Sequence, residues 1–360
     1  MKPLRILVDS FADRDLTNAQ MTNGRDIIRR LDAKRFHVTV FCLGDPDPAV
    51  AARANTRLIT LPRRRQSLRI FREFLWGQHK ILFYLKSSPA AAWYLNVRSA
   101  WNDGRVVVGT VESQSDLRNE PTIAPEAVRL WERTVLRSDA LFSNSQWVRE
   151  SLQREYGLTS RVVPTGVDTR FFCPAAERSN LRPRVLFVGS LRPFKGPQVV
   201  LEAAARFPGA DFVIAGDGPM ASELRDKVQT RQLANVSLRG VLPPGQIQRL
   251  YQEADLFLFP SQWEGSPRVI LEAAACGLPV IARDRYHVET VVDGQTGYLV
   301  QSDEQLFQRL EQLLASPDLR RSMGEQGRRH IQQFDWDRIA GQWEEIFLQL
   351  AASGRRGTAE

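Results

Sequence analysis

The chain has three cysteines in 360 residues, Cys42, Cys173 and Cys276, too widely spaced for a disulfide framework or a metal-ligand pattern. Small buried apolar roles are expected for all three. No hydrophobic stretch approaches the roughly 18 residues of a membrane span, because Pro, Arg or Asp interrupts each one. The apolar run in Met1-Lys2-Pro3-Leu4-Arg5-Ile6-Leu7-Val8-Asp9 is too short for a signal peptide and reads as a first β-strand. A cytoplasmic location is the expectation. Neither G-x-G-x-x-G nor a P-loop occurs, so the fingerprints of hydride transfer and ATP hydrolysis are both missing. There is no internal repeat and no low-complexity segment.

What is present is a basic excess, and it is local. The formal net charge is +8, from 49 Lys plus Arg against 41 Asp plus Glu. Residues 1–172 hold 27 basic and 18 acidic side chains, whereas the remainder is nearly neutral. Between Arg53 and Lys86 nine cations face one acid, Glu73.

The organisation is that of an α/β protein with two Rossmann-like halves. Strand-like runs at Leu4–Val8, 36–43, 57–61, 81–85, Val106–Val111 and Ala140–Ser143 alternate with helix-period segments such as 18–31 and 124–137. A short strand and turn over 161–168 end this half. The stretch 175–184, polar and with no apolar periodicity, reads as a linker. From Arg184 a second alternation begins, with strands at 184–189, Asp211–Ala215, 255–259 and 279–282. Domains are therefore expected at 1–172 and 173–335, followed by a C-terminal helix and tail at 336–360. Trp336, Ile339, Ala340, Trp343, Ile346, Phe347 and Leu350 give that helix an apolar face.

Two constellations could carry chemistry. In the first, Val188-Gly189-Ser190-Leu191-Arg192-Pro193-Phe194-Lys195-Gly196, a strand-end glycine is followed by Arg192, Lys195, a second glycine and a helix start. Two readings fit: a phosphate cradle of backbone N–H groups and cations, or an ordinary strand-to-helix turn. The second runs from Pro260 to Val280. A strand ends in a loop holding Glu264, Pro267 suits a first helical turn, and Glu272 follows Glu264 by eight positions. The helix N-terminus offers N–H groups to an anion, and two acids could accept hydrogen bonds from hydroxyls. The string suits a diphosphate with polyol at both ends.

On these residues the chain resembles the retaining glycosyltransferases of family four, with the GT-B architecture. Glu264 and Glu272 meet the Glu-x7-Glu pattern. Asn144-Ser145, 164–168 with Phe172, Gly189 to Gly196, 216–219, Ala254-Asp255, Pro260-Ser261, 277–280 and 293–297 fall in the family's order. The resemblance implies two Rossmann-like domains facing across a cleft, with the C-terminal helix returning to the first. It implies that Glu264 holds donor-sugar hydroxyls and Glu272 the ribose hydroxyls. Lys195 and Arg192 would neutralise the diphosphate, Gly189, Ser190, Gly265, Ser266 and Pro267 would complete the cradle, and Gly240-Val241 would lie beside the base. A nucleotide sugar is then the donor substrate, with no cofactor, no metal and no dedicated protein base. Stabilising the charge on the departing diphosphate is the main physical demand.

Three departures stand out. Ser190 occupies a position where the family often has Arg, leaving Arg192 to supply that cation. Asn18-Ala19 replaces a Gly-Gly pair, and Glu112 stands where a histidine often touches the sugar. Asn18, Ala19, Glu112 and His287 are thus candidate sugar or acceptor contacts. His37 and His330 read as surface residues, and His79 as a residue of the basic segment. Three Asp-x-Asp pairs, at 13–15, 45–47 and 335–337, read as loop or helix-cap chemistry rather than as metal ligands.

The expected function is a retaining, metal-independent transfer of a hexose-type sugar to a saccharide or lipid-linked acceptor, as in polysaccharide or glycolipid synthesis. Two other readings stay open: a non-catalytic nucleotide-sugar-binding protein on the same scaffold, and a nucleotide-sugar epimerase. The segment from Leu61 to Trp76 puts Leu68, Phe71, Leu75 and Trp76 on one helical face, ringed by Arg63, Arg64, Arg65, Arg69 and Arg72. It suits an anionic membrane surface or anionic acceptor, or else an ordinary amphipathic helix packed on the first sheet. No nucleic-acid module is visible.

Overall fold

The computed structural model describes residues 2–16, 18–98, 100, 103–112, 124–178 and 180–354. It divides into two compact units, Met1–Thr165 with Trp336–Glu360, and Gly166–Asp335. Ser179 of the expected linker and the last six positions of the C-terminal tail lie outside the described residues.

In the first unit the described residues form a parallel sheet of β1 (Leu4–Phe11), β2 (Phe36–Cys42), β3 (Thr56–Thr60), β4 (Ile81–Phe83), β5 (Val106–Val111), β6 (Ala140–Ser143) and β7 (Arg161–Val162). Their spatial order is β3-β2-β1-β4-β5-β6-β7. Leu7 of β1 lies opposite Thr39 on one side and Leu82 on the other. Helices α1 (Ala19–Arg30), α2 (Pro48–Ala52), α3 (Gln66–Trp76), α4 (Pro89–Arg98), α5 (Pro125–Glu132) and α6 (Gln146–Tyr156) connect the strands.

The alternation of side chains along each strand separates two cores. Ile6, Val8, Val38, Phe83, Val106 and Val108 point to α1, whereas Leu7, Phe41, Leu82 and Val107 point to α3 and α4. Both faces are covered, so the strands read as continuous apolar runs.

The second unit repeats this plan with β8 (Arg184–Val188), β9 (Asp211–Ala215), β10 (Val236–Gly240), β11 (Leu256–Phe259), β12 (Val280–Arg283) and β13 (Gly297–Val300). All pairs are parallel, in the order β10-β9-β8-β11-β12-β13. Its helices are α7 (Pro197–Arg206), α8 (Ala221–Thr230), α9 (Pro244–Glu253), α10 (Arg268–Ala275), α11 (Asp303–Ala315) and α12 (Pro317–Ile331).

Helix α13 (Trp336–Ser353) belongs to the first unit, where Trp336, Ile339, Trp343, Ile346, Phe347 and Leu350 join the α1-side core. Its ring contacts are close: Trp343 lies 4.7 Å from Phe83 and 4.9 Å from Phe142, centroid to centroid. Arg30 of α1 pairs with Asp337 at 2.9 Å.

The division falls at Thr165, not at Phe172. Residues just after Gly166 are tied to the second unit: Val167 N–H donates to the Phe334 carbonyl at 2.9 Å, and the Thr169 hydroxyl donates to Asp335. The polar stretch 175–184 is not a connector between units either. Arg178 donates to the carbonyls of Gln252, Cys276 and Gly277, and Asn180 to that of Glu253, which fixes the stretch on the second unit. Such polar anchors leave no apolar periodicity to read.

Candidate functional site

In sheets of this strand order, the crevice lies outside the carboxyl ends of the strands, where the winding reverses. In the second unit that point lies between β8 and β11, and both sequence constellations sit there. The chain leaves β8 through Gly189 and crosses the loop after β9 at close range. A Cβ on Gly216, whose φ is +136°, would stand 1.9 Å from the Gly189 carbonyl oxygen, so only glycine fits. A single 3₁₀ turn, Pro193–Lys195, then leads to Gly196 at φ +74° and into α7.

That turn brings Lys195 onto Glu264. The Lys195 ammonium is paired with Glu264 Oε1, and the Ser261 hydroxyl donates to the same oxygen at 2.8 Å. The two charged side chains are only 18% and 14% exposed, so the pair is poorly screened by solvent. Phe194 and Trp263 stack with centroids 4.1 Å apart and planes 11° from parallel, clamping one loop on the other. Gln262 N–H donates to the Phe194 carbonyl at 2.7 Å.

After Glu264 the chain passes through buried Gly265, half-buried Ser266 and buried Pro267, the N-cap of α10. Among the described residues no side chain caps that end, which leaves first-turn N–H groups at the positive end of the helix dipole without a side-chain acceptor. Glu272 lies on the second turn. Tyr251 donates to its Oε2 at 3.1 Å, and Arg268 Nε approaches its Oε1 at 3.9 Å. Burial first, and the Glu272 charge second, hold the Tyr251 phenol well above its ordinary pKa. Gly240, at φ +63°, accepts the Gly216 N–H at 2.8 Å, and Val241 beside it is 77% exposed.

Three more of the expected residues belong to this unit. Ser190 is half-buried, and Arg192 is exposed. His287 is exposed and left-handed, at φ +45°. Its neighbour Tyr286 is wholly buried, and its hydroxyl has no hydrogen-bond partner among the described residues. Burial, then the charge of Glu264, pushes that phenol well up.

The remaining candidates belong to the first unit. Asn18 caps α1 by accepting the Met21 N–H at 2.9 Å, and Ala19 is exposed on its first turn. Glu112, just past β5, lines a small cavity with Asn23, Tyr84, Thr110, Asn144 and Trp343. Its Oε1 accepts from Tyr84 at 2.5 Å and from Asn23 at 3.1 Å, while Asn144 donates to its backbone carbonyl at 3.0 Å. A carboxylate held this way can only accept.

The Asp-x-Asp acids have local partners. Asp13 accepts the N–H groups of Leu43 and Gly44, Asp47 caps α2 and pairs with Arg29, and Asp335 accepts from Thr169. His79 is buried rather than placed at an interface. Its Nε2 lies 3.0 Å from Glu73, which also accepts from Arg57. Burial lowers its pKa.

Helix α3 packs inward through Ile70 and Phe74, with Phe71 and Leu75 of the expected face partly buried against the same core. Leu68 and Trp76 point outward, as do Arg63, Arg64, Arg65, Arg69 and Arg72.

Sequence reasoning missed the residues that hold the acids in place: Ser261 on Glu264, Tyr251 and Arg268 on Glu272, and Tyr84 and Asn23 on Glu112. Ser261, three positions before Glu264, and Arg268, one helical turn before Glu272, could have been found by spacing; the others are distant in sequence.

Residues 174–330 match the family described as Glycosyl transferases group 1, and residues 25–171 match Glycosyltransferase Family 4. The D-inositol 3-phosphate glycosyltransferase of Corynebacterium diphtheriae is 30% identical over 298 residues, 73% of this chain and 69% of that protein. Its counterpart in Corynebacterium jeikeium is 30% identical over 263 residues, 65% of this chain and 63% of that protein. The chain thus spans a little under two thirds of that second relative. Among solved structures, the sucrose-phosphate synthase of Thermosynechococcus elongatus superposes with a TM-score of 0.79 at 21% identity, covering 98% of this chain and 100% of that one, which speaks to the fold. The chain belongs to the GT-B glycosyltransferases of family 4.

Proposed function

We propose that the chain is a retaining, metal-independent glycosyltransferase that moves a hexose-type sugar from a nucleotide-sugar donor to a saccharide or lipid-linked acceptor. The observation that supports this most is the meeting of Lys195, Glu264 and Ser261 beside the uncapped N-terminus of α10. A cation, free N–H groups and a hydroxyl-accepting acid are what a sugar diphosphate requires.

In this reading Lys195 turns from Glu264 to the diphosphate, with Arg192 as a second cation. The N–H groups from Gly265 to the start of α10 complete the cradle. Glu264, steadied by Ser261, accepts from donor-sugar hydroxyls, and Glu272, steadied by Tyr251 and Arg268, accepts from the ribose. Negative charge grows on the leaving phosphate as the glycosidic bond to it breaks. Fixed donors stabilise that charge without reorganising. The leaving oxygen takes the proton of the acceptor hydroxyl, so no protein base is needed. The relatives named above carry a glycosyltransferase name, consistent with this chemistry.

Thermal shifts with UDP, GDP, ADP, CDP and TDP test the donor half. A diphosphate at about 100 times its dissociation constant stabilises by about 2.7 kcal/mol. One of the five should raise the melting temperature, and the rise should be lost in Lys195→Met. No shift with any of them would contradict the reading.

The acceptor side is expected to work at an anionic lipid surface. Among the described residues no helix is long and apolar enough to cross a membrane. The outer side of α3 and α4 instead combines exposed Leu68 (44%), Trp76 (69%) and Trp93 (45%) with the five arginines. Arg72 lies over the Trp76 ring at 5.6 Å. Exposed aromatics among exposed arginines suit an interface where one end is apolar and the other charged. Cosedimentation with anionic vesicles should fall when Arg63, Arg64 and Arg65 become Ser. Unchanged cosedimentation would remove this surface from the account.

A further inference from the structure

The first unit has the same order of strands, and its switch point lies between β1 and β4. It also holds a lysine and an acid. Asp9 is in β1, on the α3 side of the sheet, and Lys86 lies three residues past β4. Asp9 is 3% exposed, and its Oδ2 accepts the backbone N–H of Lys86 at 2.8 Å.

The two charged ends do not close on each other. Lys86 Nζ is buried and has no hydrogen-bond acceptor among the described residues; it stands 3.8 Å from the centroid of the Phe11 ring. Of the acids nearby, Asp13 already accepts from Leu43 and Gly44, and Asp9 is outside ion-pair reach. Burial lowers the Lys86 pKa, opposed by Asp9 and Asp13, and raises that of Asp9 to about 6. At neutral pH Asp9 is therefore mostly ionised and faces an ammonium with three donors and only a ring face to meet them. In the second unit the equivalent pair, Lys195 and Glu264, is in direct contact.

We propose that Lys86 and Asp9 form a subsite for the acceptor, gripping one hydroxyl of a neutral polyol or saccharide. The ammonium donates to the hydroxyl oxygen, and the hydroxyl hydrogen is donated to the carboxylate. A hydroxyl satisfies both groups at once, whereas a phosphate would meet the Asp9 charge. This assignment rests on the glycosyltransferase reading and gives it an acceptor class.

Saturation-transfer NMR on the full chain, with millimolar myo-inositol, D-glucose or inorganic phosphate, tests it without any turnover. At least one of the two polyols should bind, and its affinity should fall about tenfold or more in Lys86→Met and in Asp9→Asn. Circular dichroism and the nucleoside-diphosphate thermal shift check that each variant is folded. If Lys86→Met does not fold, Asp9→Asn decides alone, since Asn can still accept the Lys86 N–H. The proposal is overturned if neither polyol binds, if affinity is unchanged in the folded variants, or if phosphate alone binds and Lys86→Met removes it. Polyol binding without sugar transfer from any nucleotide sugar would instead count against the enzymatic reading and leave the subsite standing.

Discussion

Lys195 and Glu264, 69 positions apart in the chain, are bonded to each other at the carboxyl ends of adjacent strands. Each is expected to serve a different part of one ligand, the diphosphate and the sugar. The pair keeps both groups placed before a ligand arrives. Removing one partner leaves the other charge largely buried, so Lys195→Met should cost roughly 2–3 kcal/mol, less than a fully buried pair because some solvent reaches it. The double variant Lys195→Met, Glu264→Gln should recover most of that loss. Urea denaturation of the two singles and the double measures the coupling; strict additivity would show that the contact contributes nothing.

Gly216 is a second point of sharp dependence. Its backbone conformation and its approach to Gly189 leave no room for a Cβ. Gly216→Ala should destabilise the chain by more than about 2 kcal/mol and weaken nucleoside-diphosphate binding, because the loop carrying Lys195 must move. Gly209→Ala, with nothing near its Cβ, should be close to neutral and serves as the control.

Asp9 gives a signed pH dependence. Its pKa is raised from 3.8 to about 6 by burial, so between these values the folded chain holds a proton that the unfolded chain has lost. Its contribution to stability is full below pH 3.8 and declines as pH rises through about 6. Asp9→Asn removes this decline. Relative to wild type, the variant should therefore gain roughly 2.4 kcal/mol between pH 4 and pH 7, read from denaturation midpoints. A constant difference between variant and wild type would contradict this assignment.

Strands and helices were legible where one physical signal dominated. β5 reads directly from Val106 to Val111, and the helix-period segment 18–31 encloses α1. The inward face of α3 was only half legible: Phe71 and Leu75 of the expected face do pack against the core, but beside Ile70 and Phe74, where Ala90, Ala91 and Tyr94 of α4 also pack, while Leu68 and Trp76 stay exposed. The domain boundary was missed because arginines and asparagines bonded to carbonyls, rather than an apolar stripe, fix 175–184. In the site, Glu264 and Lys195 were legible as residue types in a pattern, but their mutual bond was not. It depends on which strand ends lie side by side, as does the facing of Asp9 and Lys86.

The most direct measurement is product formation by wild type and Glu264→Ala across a panel of nucleotide sugars, with and without polyol and saccharide acceptors. The account predicts hydrolysis or transfer by wild type, and a loss of about 100- to 1,000-fold in Glu264→Ala with the fold retained. Donor binding without any product, or a near-normal rate in Glu264→Ala, would contradict it.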